Sequence, residues 1–138
     1  MAALHWVQPR VISATLTPQQ VSLADTRRAI AMYRKLNIPT LGIVENMSYF
    51  VCPGCQKESD IFGTGGGERL AESMGVPFLG NVPIYQPIRE GGDTGIPLMI
   101  SDADAPAAKA IAAASERLAA QVSIASYAKT TIPLTLVQ

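Results

Sequence analysis

The sequence predicts an α/β fold: a partial doubly wound, mostly parallel sheet with flanking helices. Three observations carry this. A continuous apolar run at residues 40–44 reads as a buried strand, as does the stretch at 78–82, and residues 11–15 are a short strand candidate. Stretches with helical apolar spacing separate them. The two kinds of element alternate in the order strand, helix, strand, helix, strand, helix, which implies parallel strands joined by right-handed crossovers. Ligands of such sheets sit beyond the carboxyl ends of the strands. The loops that leave from Asn46 and from Ile84 are therefore the places to look for a site.

The elements follow in order. Residues 11–15 form the first strand, and residues 1–10 carry little pattern. Thr17 is expected to cap the next helix, with Pro18 at its first position and Gln20 three after the threonine as in a capping box. Val21, Leu23, Ala24, Ile30, Ala31 and Leu36 share one face of that helix; Arg27, Arg28, Arg34 and Lys35 fall mostly on the other. It should end near Asn37, before Pro39. The strand at 40–44 is followed by a loop over 49–67 that holds both cysteines and a run of glycines; a loop of that length inside a domain is usually functional or disordered. A helix over 68–74 is capped by Gly75. The strand at 78–82 is closed by Pro83, residues 84–97 read as a Gly- and Pro-rich loop, and an Ala-rich helix covers 104–122. Residues 1–122 are expected to be a single α/β domain, with 123–138 as a tail whose strand-like stretch at 132–137 contains Pro133, which suits an edge.

Composition narrows the function. A chain of 138 residues can bury a sufficient core without a disulfide. With 48% hydrophobic and 16% charged residues it is globular rather than disordered. A formal net charge of zero gives no electrostatic reason to expect nucleic acid or an anionic membrane as partner. No apolar run approaches the roughly 18 residues of a membrane span, and the first residues lack a signal-peptide pattern. A cytoplasmic protein with reduced thiols is the expectation.

The strongest chemical signal is Cys52-Pro-Gly-Cys55, the only two cysteines. Two residues between the sulfurs let one backbone turn aim both thiolates at one ion. Metal or cluster binding is the favoured reading. A redox pair is the alternative, although such a pair normally opens a helix and Pro53-Gly54 reads as a turn; two unremarkable thiols are the third. His5 is the only histidine, and nothing in the sequence places it near the pair. A closed soft-metal site takes four ligands, so the other two come most simply from a second copy of the chain about a two-fold axis. The glycines at 63–67 precede a helix and can cradle an anion, but a flexible turn is the favoured reading, and no Gly-Lys-Ser or Gly-Lys-Thr occurs anywhere. Asn46 can read a base through an amide that both donates and accepts, or can simply serve a turn. Asp93, Asp102 and Asp104 read as capping residues. No arrangement for nucleophilic chemistry is visible, so no catalytic residue is assigned.

Taken together, the block from Thr17 to Ile30, Leu41-Gly-Ile-Val-Glu-Asn-Met-Ser-Tyr-Phe50, Cys52-Pro-Gly-Cys55, the block from Ile61 to Leu70 and Ile88-Arg-Glu-Gly-Gly-Asp93 resemble successive signatures of one family. It is the iron–sulfur cluster carriers of the Mrp/ApbC type, within the MinD-like deviant P-loop ATPases. The resemblance implies the C-terminal half of a P-loop NTPase fold, with the phosphate-binding machinery absent from this chain. It implies a homodimer holding a labile [4Fe–4S] cluster through Cys52 and Cys55 of each subunit, with apo iron–sulfur proteins as recipients. It implies that Asn46 lies against the adenine of ATP, with Pro83, Ile84 and Ile88 flanking the base. Its activity would be ATP hydrolysis, with Mg²⁺, coupled to cluster transfer; this chain alone lacks what phosphoryl transfer needs. Two rivals stand beside it: a zinc-bridged dimerisation module using the same thiolates, and a chain that hydrolyses ATP only when paired with a full-length relative. Without the upstream half, a sheet edge or face is expected to be exposed and to favour self-association.

Overall fold

The computed structural model describes residues 11–128 apart from Pro53 and Gln56. Its centre is a single long strand, β2 (Thr40–Val51). Along one edge β2 pairs in parallel with β1 (Ile12–Leu16), from Ile12 opposite Thr40 to Leu16 opposite Glu45. Along the other it pairs in parallel with β4 (Phe78–Ile84), from Ile43 opposite Phe78 to Phe50 opposite Ile84. Past Leu16 the first edge is taken over by β3 (Glu58–Ser59), which runs antiparallel with Phe50 opposite Ser59 and Val51 opposite Glu58. The sheet is thus mixed but mostly parallel, as the alternation of elements predicts.

Successive residues of β2 face opposite sides. Ile43 turns toward α1 (Gln20–Lys35) and α2 (Gly66–Met74), where it is buried with Leu16, Ile30, Leu70 and Ala71. Val44 turns to the other face, which α5 (Pro106–Ala128) covers in part. Ala107 and Ala108 are fully buried; side chains this small let a helix approach its neighbours closely. They pack with Leu98 of α4 (Leu98–Ser101) and with Ile88 of α3 (Gln86–Thr94). Arg117 of α5 donates to the carbonyl of Leu79 in β4 at 2.8 Å, which ties the helix to that strand.

Several expectations are corrected. Thr17 does not cap α1. Pro18 is buried, Gln19 stays extended as the N-cap, and the Thr17 amide instead donates to Ser22 Oγ at 3.1 Å. The strand at 40–44 continues to Val51, so the expected long loop is largely a hairpin. Pro83 lies inside β4 instead of ending it, as a strand with one unpaired edge permits. Residues 84–97 contain α3, and α4 follows directly from Leu98. The glycines there are not loop signals: a β-carbon at Gly91 would lie 2.5 Å from the Ile96 carbonyl oxygen, so glycine is required by packing. The last helix runs to Ala128, six residues past 122. The stretch at 132–137 and His5 lie outside the described residues.

Two glycine substitutions should have opposite signs. Gly92 sits in α3 with open space around it, so Gly92→Ala should stabilise by about 0.5–1 kcal/mol. At Gly67 an added β-carbon would lie 3.0 Å from Glu45 Cβ and 3.2 Å from Leu16 Cδ1. Gly67→Ala should therefore destabilise by about 1–3 kcal/mol despite alanine's better helix propensity. Urea unfolding monitored by circular dichroism reads both.

Candidate cysteine hairpin and adjoining cavity

β2 and β3 carry the cysteines outward. Beyond the Val51–Glu58 pair, the Cys52 amide donates to the Lys57 carbonyl at 3.0 Å, closing a hairpin whose tip holds Cys55. Both thiols are free; Cys52 is half-buried and Cys55 exposed. The backbone amides of Cys55 and Gly54, then the Cys55 thiol, hydrogen-bond the Cys52 sulfur and lower its pKa, against a smaller opposing effect of burial. Amides directed at a sulfur stabilise its thiolate, which is the form that binds soft metals. Farther down the hairpin, burial and then the Glu58 charge raise the pKa of Tyr49. Among the described residues no group of three or more His, Cys, Asp or Glu side chains is placed to hold a metal. The pair offers two ligands and leaves the rest of the shell open.

The second feature lies at the other end of the same strand segment. Asn46, Pro83, Ile84 and Ile88 line one cavity of about 610 Å³, together with Phe50, Tyr85 and Arg89. The structure therefore gathers all four residues that the resemblance assigns to the adenine side. Asn46 Oδ1 accepts the Met47 amide at 2.9 Å, which leaves its amide hydrogens as donors. Met47 has a left-handed backbone, φ 55°, unusual for a residue with a side chain, and the β2–β4 register is irregular between Asn46 and Phe50. A smaller apolar cavity of about 290 Å³ under α5 shares Asn46 and Ile88 with it.

One residue escaped the sequence reading. Glu45 is fully buried, and its carboxylate accepts hydrogen bonds from Ser48 Oγ at 2.5 Å, from the Gly65 amide at 3.1 Å and from the Gly67 amide. Gly65, left-handed at φ 71°, is the N-cap of α2. The glycine-rich turn does cradle an anion, and the anion is a side chain of the chain itself. The available signal was an acidic residue inside an otherwise apolar strand, one position before Asn46. Cys52 alkylation measured against pH should rise with a midpoint below that of a cysteine in an unstructured peptide; a midpoint at or above that value contradicts the amide-to-sulfur bonds.

Comparison with known proteins agrees with this layout. Residues 4–119 match the model of a ParA family described as NUBPL iron-transfer P-loop NTPase. The chain is 51% identical over 102 residues to an iron-sulfur cluster carrier protein of Pyrococcus furiosus, covering 74% of this chain and 34% of that one. It is 45% identical over 108 residues to the iron-sulfur cluster transfer protein NUBPL of Dictyostelium discoideum, covering 78% and 33%. It thus spans about a third of the length of these curated relatives. Among solved structures it resembles the cell division ATPase MinD of Pyrococcus furiosus, with a TM-score of 0.61, 26% identity and coverage of 78% and 42%. It also resembles a nucleotide-binding protein of Archaeoglobus fulgidus in complex with ADP, with a TM-score of 0.53, 35% identity and coverage of 61% and 35%. A buried α/β core, a two-thiol hairpin and a family match over most of its residues lead to one conclusion: this chain belongs to the NUBPL-type iron-transfer P-loop NTPase family.

Proposed function

We propose that this chain carries an iron–sulfur cluster as cargo on Cys52 and Cys55 and hands it to apo-proteins. The observation that carries the reading is the hairpin tip itself: two free thiols, one with a lowered pKa, projected beyond the sheet with no third ligand group among the described residues. A [4Fe–4S] cluster takes four thiolates. Two copies of the chain facing each other across a two-fold axis supply them, so the cargo bridges a homodimer. Cys55 is exposed, so an iron held there would be open to an incoming thiolate that displaces the Cys55 sulfur, which suits release of the cargo to a recipient. The relatives' printed names, carrier and transfer protein, support the same reading. Free thiols suit a reducing compartment, the cytoplasm, and no helix among the described residues is long and apolar enough to cross a membrane.

The cavity at Asn46 is read as the adenine side of a nucleotide site, with the Asn46 amide donating to the base and Pro83, Ile84 and Ile88 flanking its faces. Support comes from their convergence on one cavity and from the ADP-bound relative. The 138 residues contain no Gly-Lys-Ser or Gly-Lys-Thr, so hydrolysis would need phosphate-binding groups from elsewhere. This chain alone is read as a single α/β unit that carries the cargo site and the base-facing wall.

Two experiments test these assignments. Anaerobic incubation with Fe²⁺, sulfide and dithiothreitol should give a broad visible absorption that is lost in both Cys52→Ser and Cys55→Ser. A colourless product with bound zinc in place of iron would favour a zinc-bridged dimer. For the cavity, adenosine and ADP should bind with similar affinity, weak and near about 1 mM, because only the base is held. Asn46→Ala should weaken both; unchanged binding would remove the base contact from the account.

A further inference from the structure

We infer that Glu45 is the positioning residue of the cysteine pair: its carboxylate, bonded to Ser48 and to the Gly65 and Gly67 amides, clamps both ends of the segment that carries Cys52 and Cys55. The inference rests on the reading of those thiols as ligands and adds a residue that contacts neither sulfur.

At Glu45 the β1 side of β2 loses its partner, while β4 continues along the other edge as far as Phe50. β1 pairs with β2 no further than Glu45, whose opposite residue is Leu16. From there the chain leaves as the hairpin and returns at Gly65, 20 residues later. The returning stretch has little to hold it: β3 is two residues long, and Ile61 and Phe62 are 53% and 42% exposed. At the base of this excursion sits the carboxylate. One oxygen takes the Ser48 hydroxyl, on the outgoing strand, and the Gly65 amide, on the return; the other takes the Gly67 amide. Charge-assisted bonds of this kind are about twice as strong as neutral ones, and a buried carboxylate deprived of them is costly. Glu45 and Ser48 are the only buried polar or charged side chains among the described residues, and they bond each other. A core of this size does not need a carboxylate for packing. What the carboxylate does, and an apolar residue cannot, is fix the outgoing and returning arms in one register.

The clamp also sits between the two candidate sites. The next residue, Asn46, faces the cavity, and Ser48 lies two residues before Phe50, which also lines it. Holding Glu45 and Ser48 therefore sets the strand on either side of the left-handed Met47. A ligand pair whose supporting segment is loosened loses the geometry on which metal affinity depends.

The test compares wild type, Glu45→Gln and, as a control, Leu70→Ala, whose side chain packs in the core formed with Leu16, Ile30 and Ile43. Glutamine keeps the volume and replaces one acceptor by a donor, which faces the Gly67 or the Gly65 amide. Hydrogen exchange by NMR should show the Cys52 amide, bonded to Lys57 at the far end of the hairpin, exchanging at least about tenfold faster in Glu45→Gln. It should be unchanged in Leu70→Ala once global stability is matched with urea. Titration with Co²⁺ should show a loss of affinity, read from the thiolate-to-metal absorption, in Glu45→Gln and wild-type affinity in Leu70→Ala. If Glu45→Gln frees only the Gly65 and Gly67 amides while the Cys52 amide stays protected, the positioning role is overturned. If wild type takes up no Co²⁺, the ligand reading of the thiols fails, and the exchange result alone decides the clamp.

Discussion

A single buried carboxylate organises this chain. Glu45 lies where β1 stops pairing with β2 and β4 alone continues along the other edge, and it accepts three hydrogen bonds that join the outgoing strand to the returning loop. Burial of an unpaired carboxylate would cost several kcal/mol, so the glycines at 65 and 67 are bound to it as much as it is to them. Gly67 has to lack a side chain because the strand carrying Glu45 passes within contact distance, and Gly65 has to be left-handed to turn its amide inward. The start of α2, the path of the loop after the cysteines and the exit angle of β2 are consequences of one interaction.

Around that clamp the chain separates a rigid part from a projecting part. The rigid part is the core of Leu16, Ile30, Ile43, Leu70 and Ala71 between the sheet and α1 and α2. The projecting part is the hairpin, whose tip is held among the described residues by the Cys52–Lys57 bond and the turn amides around the sulfur. Such a division suits a carrier. A ligand pair deep in the core would be inert and inaccessible, whereas one on an unsupported loop would lack a defined geometry. The cavity at Asn46 opens on the same strand, so whatever occupies it touches Phe50, two residues before Cys52.

Much of this was legible in the sequence. The apolar runs gave the parallel strands because such runs have one stable place, between two layers of helix. The cysteine spacing singled out the thiol pair that the structure places on a hairpin, and the convergence of Asn46, Pro83, Ile84 and Ile88 on one cavity followed from the family resemblance. What was not legible has physical reasons. Thr17 looked like a cap, but a cap is decided by where Pro18 is buried. Gly91 and Gly92 suggest a loop, but a glycine in a helix can also answer to a neighbouring carbonyl, as Gly91 does to that of Ile96. The glycines at 63–67 were read as flexible because the residue that holds them lies 20 positions upstream, a separation no local pattern reports.

The central claim is that this chain holds half of a coordination shell and works by sharing it with a second copy. Native mass spectrometry of the anaerobically reconstituted protein addresses it directly. The account predicts a species of two chains and one four-iron cluster that reverts to monomer when the cluster is removed by chelation. A single chain retaining the cluster would contradict it.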